Sequence, residues 1–268
     1  MTWWACGGEA LLKVYRAIEP VERRNREAQA LTLARSWGVS TPAVRAVGEE
    51  DGYCWVLVDA VGGAAARLSS RKSVEGFVQH TLRLTAVLRD RPALGGPGTG
   101  WLPARAGNLT NSGALLHQLS QRCRPKPWWP ELCQSLTSVD DEECVHLHGD
   151  IKPEHFLRSG RSVHVVDWEA AARGPVVCDL ADAAFHLIRD LVYAGPSPLP
   201  LDVIGRLPVT GPVAAWRLLR WLDRRRPGDL DLVPAQSLRD LTASPDPPGT
   251  VRVLARLITA LRDAGVPR

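Results

Sequence analysis

Two neighbouring stretches decide how this chain is read: Val145-His-Leu-His-Gly-Asp-Ile-Lys-Pro-Glu-His-Phe-Leu157 and Val163-His-Val-Val-Asp-Trp-Glu169. Alternate side chains of an extended strand share a face, so Val145 and Leu147 fall on one apolar face and His146 and His148 on the other. Both apolar pieces run into a polar loop, and each carries an aspartate just past its end, Asp150 and Asp167. The spacing predicts a hairpin-like unit that delivers two carboxylates to one place. Cys144, His146 and His148 can also be drawn as a metal cluster. That drawing lacks further ligands at suitable spacing, and none of the six cysteines forms a Cys-x-x-Cys pair. A half-buried strand leading into a loop is the better reading.

Upstream of this unit the pattern changes from strand to helix and back. Glu9 to Tyr15 reads as a strand after a Gly7-Gly8 turn, and Pro20 to Trp37 as a helix with Ala28, Leu31, Ala34 and Arg35 at helical spacing, stopped by Gly38. Ala43 to Gly48 and Tyr53 to Asp59 read as strands joined at Glu49-Glu-Asp-Gly52. Val61-Gly62-Gly63 is a flexible crossing. Beyond it, helices are expected over Val74–Arg89, Ala114–Arg122, Pro130–Leu136, Asp179–Tyr193, Val213–Arg226 and Thr250–Ala264, with Pro- and Gly-rich irregular segments over Arg91–Gly100 and Gly195–Pro212. The fold class is therefore α+β and bilobal. Residues 1–61 make a small antiparallel sheet plus a helix, and residues 62–268 a larger, mostly helical lobe.

The bulk numbers suit a soluble globular protein: 268 residues, 45% hydrophobic and 23% charged. The net charge of +4 comes from lysines and arginines scattered on helix faces, unlike the concentrated basic patch of a nucleic-acid binder. No basic stretch followed by an apolar run opens the chain, and no apolar segment approaches membrane-spanning length. A cytoplasmic protein with reduced thiols, with no nucleic-acid or membrane partner, is expected.

Leu147 to Leu157 (LHGDIKPEHFL) and Val165 to Ala181 (VVDWEAAARGPVVCDLA) resemble the aminoglycoside phosphotransferase family of the protein-kinase-like superfamily. The resemblance implies a kinase-like fold and an ATP-dependent transfer of the γ-phosphate to a hydroxyl. Phosphoryl transfer needs one carboxylate near the attacking hydroxyl and another holding the metal on the phosphates. By the resemblance Asp150 is the catalytic base and Asp167 the metal ligand, while Lys152 lies near the transferred group. His148 braces the loop, and Asp179 holds loop backbone amides. Lys13 looks like the strand lysine on the α- and β-phosphates, and Glu27 like its helix partner. Val56 to Val61 resembles the adenine-binding hinge, with Asp59 and Val61 at the nucleotide. ATP and Mg2+ are the implied cofactors.

Two departures from the family pattern stand out. His155 occupies the place of an asparagine that supplies an oxygen ligand to the second magnesium. Mg2+ prefers oxygen, whereas imidazole suits softer metals, so Mn2+ becomes a candidate cofactor at that site. Only twelve residues precede Lys13. Trp3 to Cys6 can supply one strand, and the first strand and Gly-rich loop of the family look missing. An unpaired sheet edge invites a partner protein or a homodimer at the first lobe.

The acceptor is expected to be a hydroxyl-bearing small molecule such as an aminoglycoside or sugar. A peptide whose Ser or Thr is phosphorylated during natural-product maturation, with a partner lyase, is the alternative, and an idle scaffold the third reading. Asp182 and Asp190 are candidates for an acidic acceptor pocket, or else solvated helix charges. Arg217, Arg220 and Arg224, beside Arg225 and Arg226, read as a solvated basic stripe.

Overall fold

The computed structural model describes residues 2–4, 8–16, 19–93, 109–195 and 198–268. A four-stranded antiparallel sheet comes first, from β1 (Thr2–Trp4), β2 (Ala10–Tyr15), β3 (Val44–Glu50) and β4 (Tyr53–Asp59), in the order β1-β2-β4-β3. β1 runs antiparallel to β2, with Thr2 opposite Lys13 and Trp4 opposite Leu11. This is the strand expected near Trp3 to Cys6, and no strand lies beyond it among the described residues. β4 buries every second residue, Cys54, Val56 and Val58. Helix α1 (Pro20–Ser36) sets Glu27, Leu31 and Ala34, the i, i+4, i+7 positions of one face, inward toward this sheet. Pro20 sits in the first turn, where its missing N–H leaves no helical bond unmade.

The chain then crosses to a helical body, and the crossing is not wholly irregular. A short strand β5 (Ala64–Ala65) pairs with β7 (Phe156–Ser159), which pairs in turn with β8 (Ser162–Val165). The partner of β5 lies some ninety positions downstream, so local sequence carries no signal for it. β6 (Val145–Leu147) pairs with β9 (Ala172–Gly174). Thus the two motif stretches do form short antiparallel ladders, with Val145 and Leu147 buried.

Helix α2 (Arg71–Arg89) starts three residues earlier than expected, because Ser70 and Ser73 cap each other across its first turn. The helix expected over Ala114–Arg122 divides into α3 (Asn111–His117) and a single 3-10 turn at Gln121–Cys123, where Ser120 caps anew. α4 (Trp129–Leu136) follows. α5 (Val177–Ala194) runs through the centre and is buried on nearly every side, with α7 (Gly211–Asp223) and α9 (Pro247–Asp263) packed on it. Leu180, Leu187 and Ile188 are sealed there, each contributing about 2 kcal/mol by the area it removes from water. Short helices α6 (Leu201–Ile204) and α8 (Ala235–Thr242) complete the body. α6 lies within the segment expected to be irregular, and α8 was not anticipated. The loop expected over 91–100 falls mostly outside the described residues. Among the described residues no helix is long and apolar enough to cross a membrane.

Candidate active site

A cleft of about 620 Å³ opens between the first sheet and the motif loops. Leu11, Val56 and Val58 give it apolar walls, and Asp59, Ala60 and Val61 line its rim, so the expected hinge reaches the same cavity as Lys13, Glu27, His155 and Asp167. The Asp59 side chain turns to Arg45 at 2.6 Å, which leaves only its backbone for a ligand.

Lys13 is the hub of the cleft floor. Its Nζ lies 2.9 Å from Glu27 Oε2, 2.5 Å from Asp167 Oδ1 and 3.4 Å from Glu169 Oε2. Burial works against its charge, but Glu27, Asp167 and Glu169 together hold the ammonium well above its ordinary pKa. Glu27 is only 4% exposed and also accepts a hydrogen bond from Tyr15 Oη. Burial pushes the Glu27 carboxyl upward against the pull of Lys13. A buried carboxylate in this setting depends on its lysine.

The Asp150 loop is held from below. Asp179, wholly buried at the start of α5, accepts the backbone N–H of His148 and of Gly149 at 2.8 Å each. His148 donates from Nε2 to the Val166 carbonyl at 3.0 Å, tying the first loop to the second. Both residues thus make the bracing contacts expected of them. Gly149 has φ +81°, and a Cβ there would stand 1.9 Å from the Ala170 carbonyl oxygen. Gly149→Ala is therefore expected to cost about 3 kcal/mol or more. A denaturant midpoint equal to wild type would contradict this.

Asp150 itself is partly exposed. Burial raises its pKa, but its polar surroundings, the Lys152 ammonium among them, hold the carboxyl well below the usual carboxylate range. Lys152 Nζ lies 3.0 Å from Asp150 Oδ2 and 3.2 Å from Glu154 Oε1. His186 Nε2 is 3.5 Å from Asp150 Oδ1, yet Arg217 Nη2 already donates to that same nitrogen at 2.7 Å. His186 therefore accepts through Nε2, and Lys152 is the cation that holds Asp150 ionised.

Asp167 adopts a left-handed conformation, φ 65° and ψ 61°, uncommon for a non-glycine residue and enriched at functional positions. Burial opposes its charge, whereas His155 and Lys13 lower its pKa well below the ordinary value. His155 Nδ1 donates to the Asp150 carbonyl at 2.9 Å, and its Nε2 lies 3.0 Å from Asp167 Oδ2, where a divalent cation held by Asp167 would meet the ring nitrogen. Asp150, His155 and Asp167 each offer a donor atom within 4.8 Å of the others, and Glu27, Asp167 and Glu169 do the same. The first set, one imidazole and two carboxylates, fits a divalent cation.

The structure thus brings Lys13, Glu27, Asp59, Val61, Asp150, Lys152, His155 and Asp167 into one neighbourhood. It corrects the reading of the later helices. Arg217 and Arg220 are 7% and 8% exposed, not a solvated stripe. Asp182 is 2% exposed and bound by Arg217, neither solvated nor open to a substrate. Asp190 pairs with Arg189 at 2.7 Å and with Arg268 at 3.1 Å. The motif's Glu169, given no role by the sequence, is held by Arg23 at 2.9 Å, and His186 is a site residue that the sequence reading passed over. The signal for His186 was its position: with Asp179 and Asp182 it forms an i, i+3, i+7 row within a stretch of the helix, 177–188, that is otherwise apolar.

Residues 2–222 match the model of the phosphotransferase enzyme family. No curated protein matches the sequence. Three solved structures share the fold at low identity. A thermostable mutant of the aminoglycoside phosphotransferase APH(4)-Ia, in a ternary complex with ADP and hygromycin B, is 14% identical with a TM-score of 0.55, over 97% of this chain and 89% of that one. A choline/ethanolamine kinase family protein from Mesorhizobium loti is 14% identical with a TM-score of 0.51, over 94% and 87%. An amicoumacin kinase in complex with AMP-PNP, Ca2+ and Ami is 12% identical with a TM-score of 0.51, over 99% and 85%. With its α+β kinase-like fold and a family match over most of its length, this chain belongs to the phosphotransferase enzyme family and is an ATP-dependent phosphotransferase.

Proposed function

We propose that the chain moves the γ-phosphoryl group of ATP to a hydroxyl of a small molecule, with Asp150 and Asp167 dividing the work. The observation that carries this reading is the Lys13–Glu27–Asp167 ion-pair row on the cleft floor, with Asp150 joined to it through His155. The neighbours that hold ADP with hygromycin B, and AMP-PNP with Ca2+ and Ami, support a nucleotide and a small-molecule acceptor. Residues 1–61 form the nucleotide-binding lobe in this reading, and residues 62–268 the catalytic and substrate lobe. The partner protein or homodimer expected at the β1 edge finds no support in these neighbours.

The residues act as follows. Asp59 and Val61 offer hinge backbone to the adenine. Lys13, kept in place by Glu27, neutralises phosphate charge. Asp150, ionised beside Lys152, orients the acceptor hydroxyl and takes its proton. Asp167 and His155 Nε2 would hold the divalent cation, which supplies charge neutralisation on the phosphates. Lys152 stands next to Asp150, placed to meet charge that develops on the transferred group.

Incubation with γ-labelled ATP and a panel of hydroxyl-bearing acceptors, read by mass spectrometry, tests the reading. Label on an acceptor oxygen is expected, and label released only to water would sink it. His155 adds a metal-specific outcome. With an imidazole ligand the site tolerates Mn2+ well, so His155→Asn is expected to raise the Mg2+-to-Mn2+ activity ratio on the order of tenfold. An unchanged ratio would place His155 away from the metal.

A further inference from the structure

The side of Asp150 turned from the nucleotide cleft carries charge that the chemistry above does not use. α5 and α7 meet there. His186 on α5 faces Asp150 at 3.5 Å, and Arg217 on α7 bonds both His186 and Asp182. Arg189 is paired with Asp190. Two guanidiniums remain, Arg220 in the last turn of α7 and Arg224 just past its end, four positions on. Arg220 is 8% exposed, its Nε is buried without a partner, and among the described residues no carboxylate forms an ion pair with it. Its guanidinium stands 5.3 Å from the Trp216 ring. Arg224 is exposed and likewise forms no ion pair among the described residues. Burial first, then the neighbouring guanidiniums Arg217 and Arg224, bring Arg220 down to about 10, with Asp182 and Asp150 acting the other way.

A buried donor left unfilled is costly, and a guanidinium fork matches carboxylate or phosphate oxygens in paired bonds. Neither arginine, nor Arg217 or His186, lines the cleft at Lys13. An anion held here therefore belongs to the acceptor and not to the nucleotide. A polycationic acceptor would meet unpaired like charge at the same place.

The geometry points to an acceptor that carries a carboxylate or phosphate near its reactive hydroxyl, with Arg220 and Arg224 holding that oxyanion while Asp150 takes the hydroxyl proton. This rests on the phosphotransferase reading and narrows its substrate class. The step balances: the acceptor oxygen forms the new bond to phosphorus, the bond from the γ-phosphorus to the bridging oxygen breaks and leaves ADP, and the hydroxyl proton goes to Asp150.

The test compares matched acceptors: D-gluconate with D-glucose, glycerol phosphate and D-glycerate with glycerol, and a polycationic aminoglycoside as the opposite charge. The anionic member of a pair is expected to show kcat/KM at least about tenfold above its neutral partner, a preference that Arg220→Gln and Arg224→Gln each remove. The same anions should raise the Tm of the wild type and not of the variants. Arg224 is exposed, so its variant guards against misfolding of the Arg220 variant. Preference for the neutral or polycationic acceptor, a preference untouched by both substitutions, or no Tm rise with any of the anions overturns the proposal. Failure of the phosphotransferase reading looks different. ATP would then give no Tm rise and no acceptor would gain phosphate, while the anions still stabilised the wild type through Arg220 and Arg224.

Discussion

Asp150→Asn is expected to lower phosphoryl transfer by about 10²- to 10⁴-fold, the range removed with a general base. The fall should appear in kcat, because the lost interaction belongs to the transition state. Nucleotide binding should survive. It is the backbone carbonyl of Asp150, not its carboxylate, that receives His155 Nδ1, so the amide leaves the orientation of His155 unchanged. The loop itself hangs on Asp179 through the amides of His148 and Gly149, which the substitution does not touch. Single-turnover rates with ATP-dependent thermal shifts separate the two effects. A variant that transfers phosphate at the wild-type rate would remove Asp150 from the chemistry.

The second large effect is one of stability and activity together. Lys13→Met leaves Glu27 buried with Tyr15 as its remaining neutral donor. Stranding one member of a buried ion pair costs about 3–5 kcal/mol. The loss should shrink as pH falls, because a protonated Glu27 needs no counter-ion, and burial already favours its protonation. Adding Glu27→Gln should restore most of the stability and none of the activity, since the phosphate-binding cation is still gone. Denaturant melts of the two single variants and the double variant give the coupling directly. A Lys13→Met protein as stable as wild type would show that Glu27 does not rely on the pair.

These two effects rest on residues that could be found in the sequence. Asp150 and Asp167 each follow a short strand whose alternation is visible, and Lys13 and Glu27 sit on a strand and a helix with clear periods. The helical body was less legible for a physical reason. Periodicity shows which residues of a helix share a face, but not what that face meets. Arg217, Arg220 and Arg224 fall at helical spacing and looked like a solvated stripe, yet the first two are buried against α5. The clue lay in α5, where Leu180, Ala181, Ala183, Ala184, Phe185, Leu187 and Ile188 surround Asp182 and His186 and leave them no solvent-facing side. Polar groups sealed in that stretch of helix must find partners inside, and Arg217 is that partner. β5 escaped notice because a two-residue strand is defined by its distant partner and not by its own residues.

The division of labour between the two aspartates is the central claim, and a crystal structure with a non-hydrolysable ATP analogue and Mn2+ tests it most directly. The anomalous signal should lie on Asp167 with His155 as a neighbour, and the γ-phosphate should point toward Asp150 with adenine at Asp59 to Val61. A metal bound through Glu27 and Glu169 without Asp167, or a γ-phosphate turned away from Asp150, would contradict it.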